Sequence, residues 1–251
     1  MDTPRSARGA TALVVALPWE AIPLAKYLGL RRDGVHDGVT HYRGNGDRVL
    51  LLQAGMGLDG AARALSSLDK PAAIVSTGFC GGVGSELGLG SVVVASHVVR
   101  DTASFPADPV LLDTATRALK RIGLPFHVGA LLTVNDVVRP GDEVQGRTDL
   151  PILAVDMESG YLAEAARRQG IPFLGIRVVS DTPAEPWAAE GRVFLDPDGR
   201  LRPVTITTSI LRHPFWIPRM LQLASKLRLA TRQLAQGIEA FLKEHPSLLT
   251  S

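Results

Sequence analysis

Acidic residues stand just beyond the ends of three predicted strands. Glu20 follows the first apolar run, Glu158 follows a short strand, and Asp181 closes the last one after Ser180. In an open parallel sheet, ligands bind beyond the carboxyl ends of the strands. Each carboxylate taken alone is more simply explained as a charge in a first helical turn or as a cap. Taken together, they predict one site at a single sheet edge.

Three carboxylates beside a glycine-rich turn suit the cleavage of a glycosidic bond. One acid can protonate the leaving group, a second can orient water, and a third can bind sugar hydroxyls. The predicted turn is Gly78-Phe79-Cys80-Gly81-Gly82, which exposes backbone groups after a buried strand. Carboxylates alone do not distinguish an O-glycoside from an N-glycoside, so this choice stays open at the level of residue types.

The sequence offers no other reactive arrangement. The single cysteine, Cys80, excludes a disulfide framework and a multi-cysteine metal site. The six histidines are scattered without ligand spacing, and no nucleotide-binding glycine motif is present. We therefore expect no metal and no other cofactor, and we expect Cys80 to be a packed small residue rather than a nucleophile.

The composition is typical of a soluble globular protein. The chain has 251 residues, of which 45 % are apolar and 21 % are charged, and its formal net charge is +2. No run approaches the roughly 18 apolar residues of a membrane span. The polar N-terminus lacks the apolar core of a signal peptide. We expect a cytoplasmic protein.

Short apolar runs alternate with segments of helical period up to residue 181. The predicted strands are 12–17, 49–53, 72–76, 91–96, 127–133, 152–155 and 173–179, and the clearest helices are 111–122 and 157–169. Continuous apolar strands divided by helices indicate a sheet covered on both faces. The fold class is α/β, with a central mixed, largely parallel sheet flanked by helices and followed by a helical C-terminal extension.

The chain changes character after Asp181. Residues 182–204 are rich in Pro, Gly and charge, and residues 218–242 carry one apolar helical stripe. Residues 200–243 hold eight basic side chains and one acidic one, so the remainder has a net charge of −5. We expect one domain over 1–251, with a core at 10–181 and a Pro-rich loop and basic helical extension at 182–251.

The extension allows two interpretations. The stripe of 218–242 can pack on the sheet as an ordinary last helix. Residues 206–216, with aromatic and basic side chains, can instead seat the protein on an anionic membrane surface, at the inner membrane face. Nucleic acid is not an expected partner, because aromatic residues make up only 5 % and no recognition motif is present.

Four motifs in order resemble the purine nucleoside phosphorylase / methylthioadenosine–adenosylhomocysteine nucleosidase superfamily. They are Gly55-Met56-Gly57, the 78–82 glycine segment, Val155-Asp156-Met157-Glu158 and Arg177-Val178-Val179-Ser180-Asp181. The C-terminal extension resembles the hopanoid-associated branch, which is credited with removing adenine from adenosylhopane. The resemblance implies a nucleoside phosphorylase-like fold, a homo-oligomer, and an enzyme that cleaves the N-glycosidic bond of a purine nucleoside, here one with a lipid tail.

The resemblance also implies roles for individual residues. Asp181, assisted by Ser180, would protonate N7 of adenine, and burial would have to raise its pKa for that purpose. Glu158 would bind the ribose 2′- and 3′-hydroxyls, and Glu20 would position a water nucleophile. The other residues implied around the substrate are Met157 on the ribose, Val137 and Val138 beside the adenine, and Gly78 and Phe79 in the glycine segment, where Phe79 is either substrate wall or plain core.

The identity of the nucleophile stays open. Phosphorylases of the superfamily have Arg where Glu20 and Ser76 stand and Ser where Phe79 stands, so the residues favour water. The hopanoid branch is nevertheless commonly labelled a phosphorylase, and Arg43 or Arg139 could replace the missing phosphate ligands.

Two other functions remain alternatives to the hopanoid one. A soluble 5′-methylthioadenosine/S-adenosylhomocysteine nucleosidase would use the same residues, although it has no evident need for the basic extension. A non-catalytic nucleoside sensor would keep Glu158 and the glycines but could lose Glu20 and Asp181, which are both present.

Overall fold

The computed structural model describes residues 9–44, 46–83, 86–136, 144, 149–182 and 216–245. In these ranges the order of elements is β1 (Thr11–Val15), α1 (Pro18–Tyr27), β2 (Arg31–His36), β3 (Val39–Gly44), β4 (Val49–Gln53), α2 (Gly57–Ser66), β5 (Ala73–Gly82), β6 (Val92–Arg100), β7 (Ala103–Pro106), α3 (Pro109–Arg121), β8 (Phe126–Thr133), β9 (Ile152–Asp156), α4 (Ser159–Gln169), β10 (Phe173–Asp181) and α5 (Trp216–Glu244).

The ten strands in the described ranges belong to one mixed sheet. β1 lies between β4 and β5 and is parallel to both, and β10 is parallel to β5. β10 is antiparallel to β6, which is followed by β8 and β9 in parallel, and β9 returns to the end of β5. At one side of the sheet, five strands therefore form a closed ring of pairings, in the order β5, β10, β6, β8 and β9. The predicted α/β class with a mixed sheet flanked by helices is confirmed.

Helices cover both faces of the sheet. On one face, α1, α3 and α5 bury Leu24, Leu119 and Ile238 against the strands. On the other face, α2 and α4 bury Ala64 and Leu162. Each of the seven predicted strands overlaps an observed strand, although 12–17 runs two residues past the end of β1. Continuous apolar runs are expected in a sheet that is buried on both faces.

The hairpin of β2 and β3 was not predicted from the sequence. β2 is an edge strand with exposed and half-buried residues, so it lacks the apolar run that indicates a strand. β3 does bury residues, but two of them are His41 and Arg43. The sequence analysis therefore missed the hairpin because its strands contain polar side chains where an apolar run is expected.

The expectation of a turn at 78–82 was wrong, since β5 continues as a strand through Gly82. This segment pairs with β10 on one side and with β9 on the other. A Cβ at Gly81 would lie 3.1 Å from Val155 Cγ2, and one at Gly82 would lie 3.1 Å from Val179 Cγ1. The glycines therefore serve close strand packing instead of chain reversal.

The apolar stripe of α5 packs on the core. Ala230, Leu234, Ile238 and Phe241 are buried, and each large side chain contributes roughly 1.5–3 kcal/mol by leaving water. The interpretation of this stripe as an ordinary last helix is confirmed for these residues. Residues 206–215 lie outside the described ranges. None of the helices described in the structure is long and apolar enough to span a bilayer.

A buried histidine marks the hairpin. His41 on β3 is 1 % exposed, and neither ring nitrogen has a hydrogen-bond partner among the described residues. Its ring meets His36 edge-on at 4.9 Å between centroids. Burial, together with the charges of His36 and Arg43, lowers the pKa of His41 to about 4.

We predict that His41 makes stability depend on pH on the acid side. As the pH falls from about 6.5 to about 4, the unfolded chain binds a proton at this ring and the folded chain does not, so the free energy of unfolding decreases by at most about 3 kcal/mol. His41→Leu should remove this component, as measured by urea unfolding between pH 4 and 7.

His127→Gln is the matched control, because His127 is half-buried on β8 and away from the hairpin. It should leave the slope of stability against pH as in the unmodified protein. An unaltered slope in His41→Leu would show that the ring is protonated without cost in the folded state.

Candidate active site

A buried arginine lies at the centre of the polar cluster. Arg177 on β10 is 2 % exposed. Its Nη2 lies 2.6 Å from Asp156 Oδ2, 2.7 Å from Ser76 Oγ and 3.0 Å from Ser159 Oγ, and its Nη1 donates to the Phe79 carbonyl at 3.3 Å. A buried charge is tolerated only when it is paired. One guanidinium thus joins β5, β9, β10 and the start of α4.

Glu20 reaches this cluster from the first turn of α1. Its Oε2 accepts a hydrogen bond from the Leu17 amide at 2.8 Å, and its Oε1 accepts one from the Phe79 amide at 2.7 Å. Burial raises the pKa of Glu20, while the Phe79 amide and the charge of Arg177 oppose that rise. The carboxylate therefore caps its own helix and also reaches β5.

Glu158 approaches Arg177 from the start of α4. It directly precedes α4, and its Oε1 accepts a hydrogen bond from the Gly57 amide at the start of α2 at 3.0 Å. Its Oε2 lies 3.5 Å from Arg177 Nη2. Burial raises the pKa of Glu158 to about 7 against the pull of Arg177, and the charge of Asp156 adds to the rise. Near neutral pH this carboxyl is poised between its two protonation states.

Asp181 ends β10 beside the same segment of β5. The Ser180 hydroxyl donates to Asp181 Oδ1 at 2.8 Å. Burial raises the pKa of Asp181, and the hydrogen bond from Ser180 opposes the rise. Asp181 pairs with Gly81, where a Cβ would come within 3.4 Å of Oδ2. A carboxyl in this environment is suited to hold a proton and release it to a base.

The 78–82 segment of β5 is what the three carboxylates share. Glu20 binds Phe79, Asp181 flanks Gly81, and the strand that leads to Glu158 pairs at Gly81 as well. Cys80 lies in the same segment and is buried, and burial raises the pKa of its thiol, which disfavours the reactive thiolate. The structure thus places Glu20 and Asp181 against one segment of β5 and Glu158 beyond a strand paired with it, while their joint action in one site stays a prediction.

Of the other residues expected around the substrate, Met157 and Phe79 are described in the structure. Met157 is half-buried between Asp156 and Glu158. The Phe79 ring packs against the core, while its backbone atoms hold Glu20 and Arg177. Val137, Val138 and Arg139 lie outside the described residues.

Arg43, the other arginine that could supply a phosphate contact, lies on β3 and pairs with Leu50 of β4. Its Nε is bound to Asp33 Oδ2 at 2.7 Å. The suggestion that Arg43 replaces a missing phosphate ligand stays a prediction.

Sequence reasoning assigned no role to Arg177, Asp156 or Ser159. The sequence does contain an indication of this cluster, since Arg177 is a single basic residue inside an otherwise apolar strand. A charged residue in a buried strand needs acidic or hydroxyl partners, which here include Asp156 and Ser159. In the described part of the chain, no three His, Cys, Asp or Glu side chains are placed to hold a metal ion.

A family model described as "Phosphorylase superfamily" matches residues 10–211. The chain belongs to this superfamily. Among curated proteins, a 5′-methylthioadenosine/S-adenosylhomocysteine nucleosidase of Chromohalobacter salexigens is 29 % identical over 195 residues, which cover 68 % of this chain and 83 % of the relative. The enzyme of the same name from Halalkalibacterium halodurans is 28 % identical over 174 residues, covering 60 % and 73 %. The expectation of an enzyme is confirmed by this membership.

Solved structures support the fold. A 5′-methylthioadenosine/S-adenosylhomocysteine nucleosidase from Neisseria meningitidis, in complex with methylthio-immucillin-A, superimposes with a TM-score of 0.69 at 19 % identity, over 94 % of this chain and 99 % of that one. The futalosine hydrolase of Helicobacter pylori gives a TM-score of 0.72 at 12 % identity, over 94 % and 98 %. The nucleoside phosphorylase-like fold predicted from the motifs is confirmed.

We predict that Gly78→Ala disables the site. Gly78 has a φ of +127°, and a Cβ there would lie 2.6 Å from Glu20 Oε1 and 3.1 Å from Arg177 Nη1. The substitution should displace both groups and lower stability by roughly 1–3 kcal/mol. Thermal unfolding and a base-release assay measure the two effects.

Gly88→Ala is the control, because a Cβ at Gly88 meets nothing within 4 Å. It should be close to the unmodified protein in both assays. If Gly78→Ala had no effect on stability or activity, the close packing of Glu20 and Arg177 against Gly78 would not be required, and the prediction would be wrong.

Proposed function

We propose that this enzyme cleaves the N-glycosidic bond of a purine nucleoside. The observation that carries the proposal is the placement of Glu20 and Glu158 on two sides of Arg177, with Asp181 on the same 78–82 segment. Breaking the C–N bond builds positive charge on the ribose and negative charge on the purine. Carboxylates near the sugar stabilise the first charge, and a carboxylic acid near the base relieves the second.

Asp181 is the proposed general acid. Its raised pKa allows it to hold a proton in a half-buried position, and Ser180 fixes the orientation of the carboxyl. Donation to N7 of the purine converts the leaving group into a neutral base, which contributes about 10²–10⁴-fold to the rate.

Glu158 is the proposed ligand of the ribose 2′- and 3′-hydroxyls. Gly57 occupies only its Oε1, and the contact of Oε2 with Arg177 is long at 3.5 Å. The hydroxyls of a sugar would donate hydrogen bonds to Oε2 of Glu158 and favour the ionised form of this carboxylate. Met157 is proposed to pack on the ribose, and Val137 and Val138 to lie beside the adenine.

Water is the proposed nucleophile, positioned by Glu20. Glu20 Oε1 and Arg177 Nη1 both lie next to Gly78, so a hydrogen-bond acceptor and a donor are close together at this point of β5. A carboxylate at this place repels phosphate. The names of the sequence relatives, which are nucleosidases, support hydrolysis as well.

Asp181→Asn tests the reaction. Because asparagine cannot donate a carboxyl proton, we expect kcat for adenine release to fall about 10²-fold or more while KM changes little. Adenine is quantified by chromatography, in parallel samples with and without added phosphate. The expected sugar product in both is the ribose with its 5′ substituent and a free hydroxyl at C1.

Asp113→Asn, which breaks an exposed ion pair on α3, is the matched control and should retain full activity. Near-full activity of Asp181→Asn would show that Asp181 is not the general acid. Dependence on phosphate with a sugar 1-phosphate as product would replace hydrolysis by phosphorolysis. Nucleoside binding without any base release would indicate the alternative class, a nucleoside sensor.

For the substrate we propose an adenosyl lipid, namely adenosylhopane of hopanoid biosynthesis. The proposal is supported by the resemblance of the extension and by its excess of basic residues. On α5, Arg228 and Arg232 are exposed beside Leu229, which is 53 % exposed. Cations beside an apolar side chain suit an anionic membrane surface from which a lipid substrate is drawn. A homo-oligomer is part of the same proposal.

The alternative substrate, 5′-methylthioadenosine or S-adenosylhomocysteine, fits the named relatives equally well. We predict that kcat/KM for adenosylhopane in anionic vesicles exceeds that for methylthioadenosine by about 10-fold or more. Charge reversal by Arg228→Glu with Arg232→Glu should reduce use of the lipid at low salt and leave methylthioadenosine cleavage unchanged. A preference for methylthioadenosine that is indifferent to vesicles would favour the alternative.

A further inference from the structure

Arg177 lies between two carboxylates, and its Nη2 is closer to one of them than to the other. Its Nη2 is 2.6 Å from Asp156 Oδ2 but 3.5 Å from Glu158 Oε2. At 2.6 Å the contact is a short charge-assisted hydrogen bond, whereas at 3.5 Å it is mainly electrostatic. The primary ion pair of the guanidinium is therefore with Asp156, which the proposed chemistry does not use.

Asp156 is held in place by partners within the protein. The Thr133 hydroxyl donates to its Oδ1 at 2.7 Å, and the Ser159 amide donates to its Oδ2 at 3.1 Å. The Thr133 oxygen in turn accepts the Gly160 amide at 2.7 Å. All of these groups are buried, so the carboxylate has no freedom to turn towards a substrate.

The hydroxyls of Ser76 and Ser159 complete the arrangement. They lie 2.8 Å from each other, and both accept from Arg177 Nη2. With Asp156, they supply this nitrogen with three short acceptors for its two protons. Nη2 is thereby satisfied on the side of α4 and has little need of Glu158, whereas the buried Nε has no hydrogen-bond partner among the described residues.

We infer that Asp156, fixed by Thr133, is a positioning residue that keeps Arg177 from closing on Glu158 and so leaves Glu158 Oε2 available to the sugar. The inference rests on the proposed function and deepens it, because it names the group that sets the affinity for a ribose diol. Without Asp156, Arg177 would pair with Glu158 and compete with the sugar hydroxyls.

The charges that face Glu158 decide the direction of the pH effect. Arg177 on β10 favours the ionised form, while Asp156 on β9 and Glu20 on α1 oppose it. The Gly57 amide of α2 also favours the ionised form. Removal of the Asp156 charge takes away one repulsion and frees Arg177 to approach, so both consequences move the ionisation of Glu158 to lower pH.

The test compares Asp156→Asn with the unmodified enzyme in kcat, KM and the pH profile of kcat/KM for adenosine as the probe nucleoside. We expect KM to rise about 10-fold or more with a smaller change in kcat, since binding of the diol is weakened in ground state and transition state alike. The acid limb of the profile should move down by about one pH unit or more. Binding of adenosine measured by calorimetry over the same pH range should show the same displacement.

A second pair of variants covers the case in which Asp156→Asn does not fold. Thr133→Val removes the hydroxyl that fixes Asp156, whereas Thr133→Ser keeps it. The first should show a smaller version of both effects and the second should behave as the unmodified enzyme. Glu164→Gln, which breaks the 2.8 Å ion pair of α4 with Arg100, controls for general loosening of that helix.

The outcomes separate this inference from the proposed function. An unmoved pH profile, or a loss confined to kcat, in a folded Asp156→Asn would overturn the inference, and so would equal effects of Thr133→Ser and Thr133→Val. Absence of base release by the unmodified protein would instead overturn the proposed function. In that event the pH dependence of adenosine binding still decides whether Asp156 controls Glu158.

Discussion

The burial of one guanidinium is the constraint on which the rest of the site depends. Arg177 carries a full charge in a position that is almost closed to water, so its neighbours must supply acceptors. They come from β5, β9 and the start of α4, which are far apart in sequence. The same acids exceed the one positive charge, and burial then raises the pKa values of Glu20 and Glu158. Pairing and protonation together make the cluster tolerable.

Two of the acidic residues, Glu20 and Glu158, have a structural role at the start of a helix. Glu20 binds the Leu17 amide at the start of α1, and Glu158 binds the Gly57 amide at the start of α2. A carboxylate is favoured at both places because helix N-termini present free amides and positive potential. The fold thus holds these groups by one oxygen, and the second oxygen of each is directed to the cluster. A structural role does not compete with a chemical one here, since it fixes the side chain.

Sequence patterns were sufficient for the parts of the fold that obey a simple period. The apolar runs at 12–17 and 173–179 correspond to β1, which ends at Val15, and to β10, and the stripe of α5 packs in the core. The β2–β3 hairpin was missed because its buried side chains include polar ones, and the 78–82 segment was taken for a turn because of its glycines. Of the candidate site, the sequence indicated the three acids, and the structure places Glu20 and Asp181 along the 78–82 segment and Glu158 beside Arg177. Arg177 and its hydroxyl partners were not predicted, because their contacts join residues up to 101 positions apart.

The burial of Glu158 lowers stability at neutral pH. Its pKa in the folded protein lies above the ordinary glutamate value of 4.5, so between that pH and about 7 the folded chain holds a proton that the unfolded chain has lost. The free energy of unfolding therefore decreases as the pH rises through this window. If Glu158 binds the ribose diol as we propose, the two hydroxyls donate to the carboxylate and favour its ionised form. Binding would then recover part of the free energy lost on folding, and a ligand without paired hydroxyls would recover less. Under this proposal, a preference for ribose would follow from the same burial that raises the pKa of Glu158.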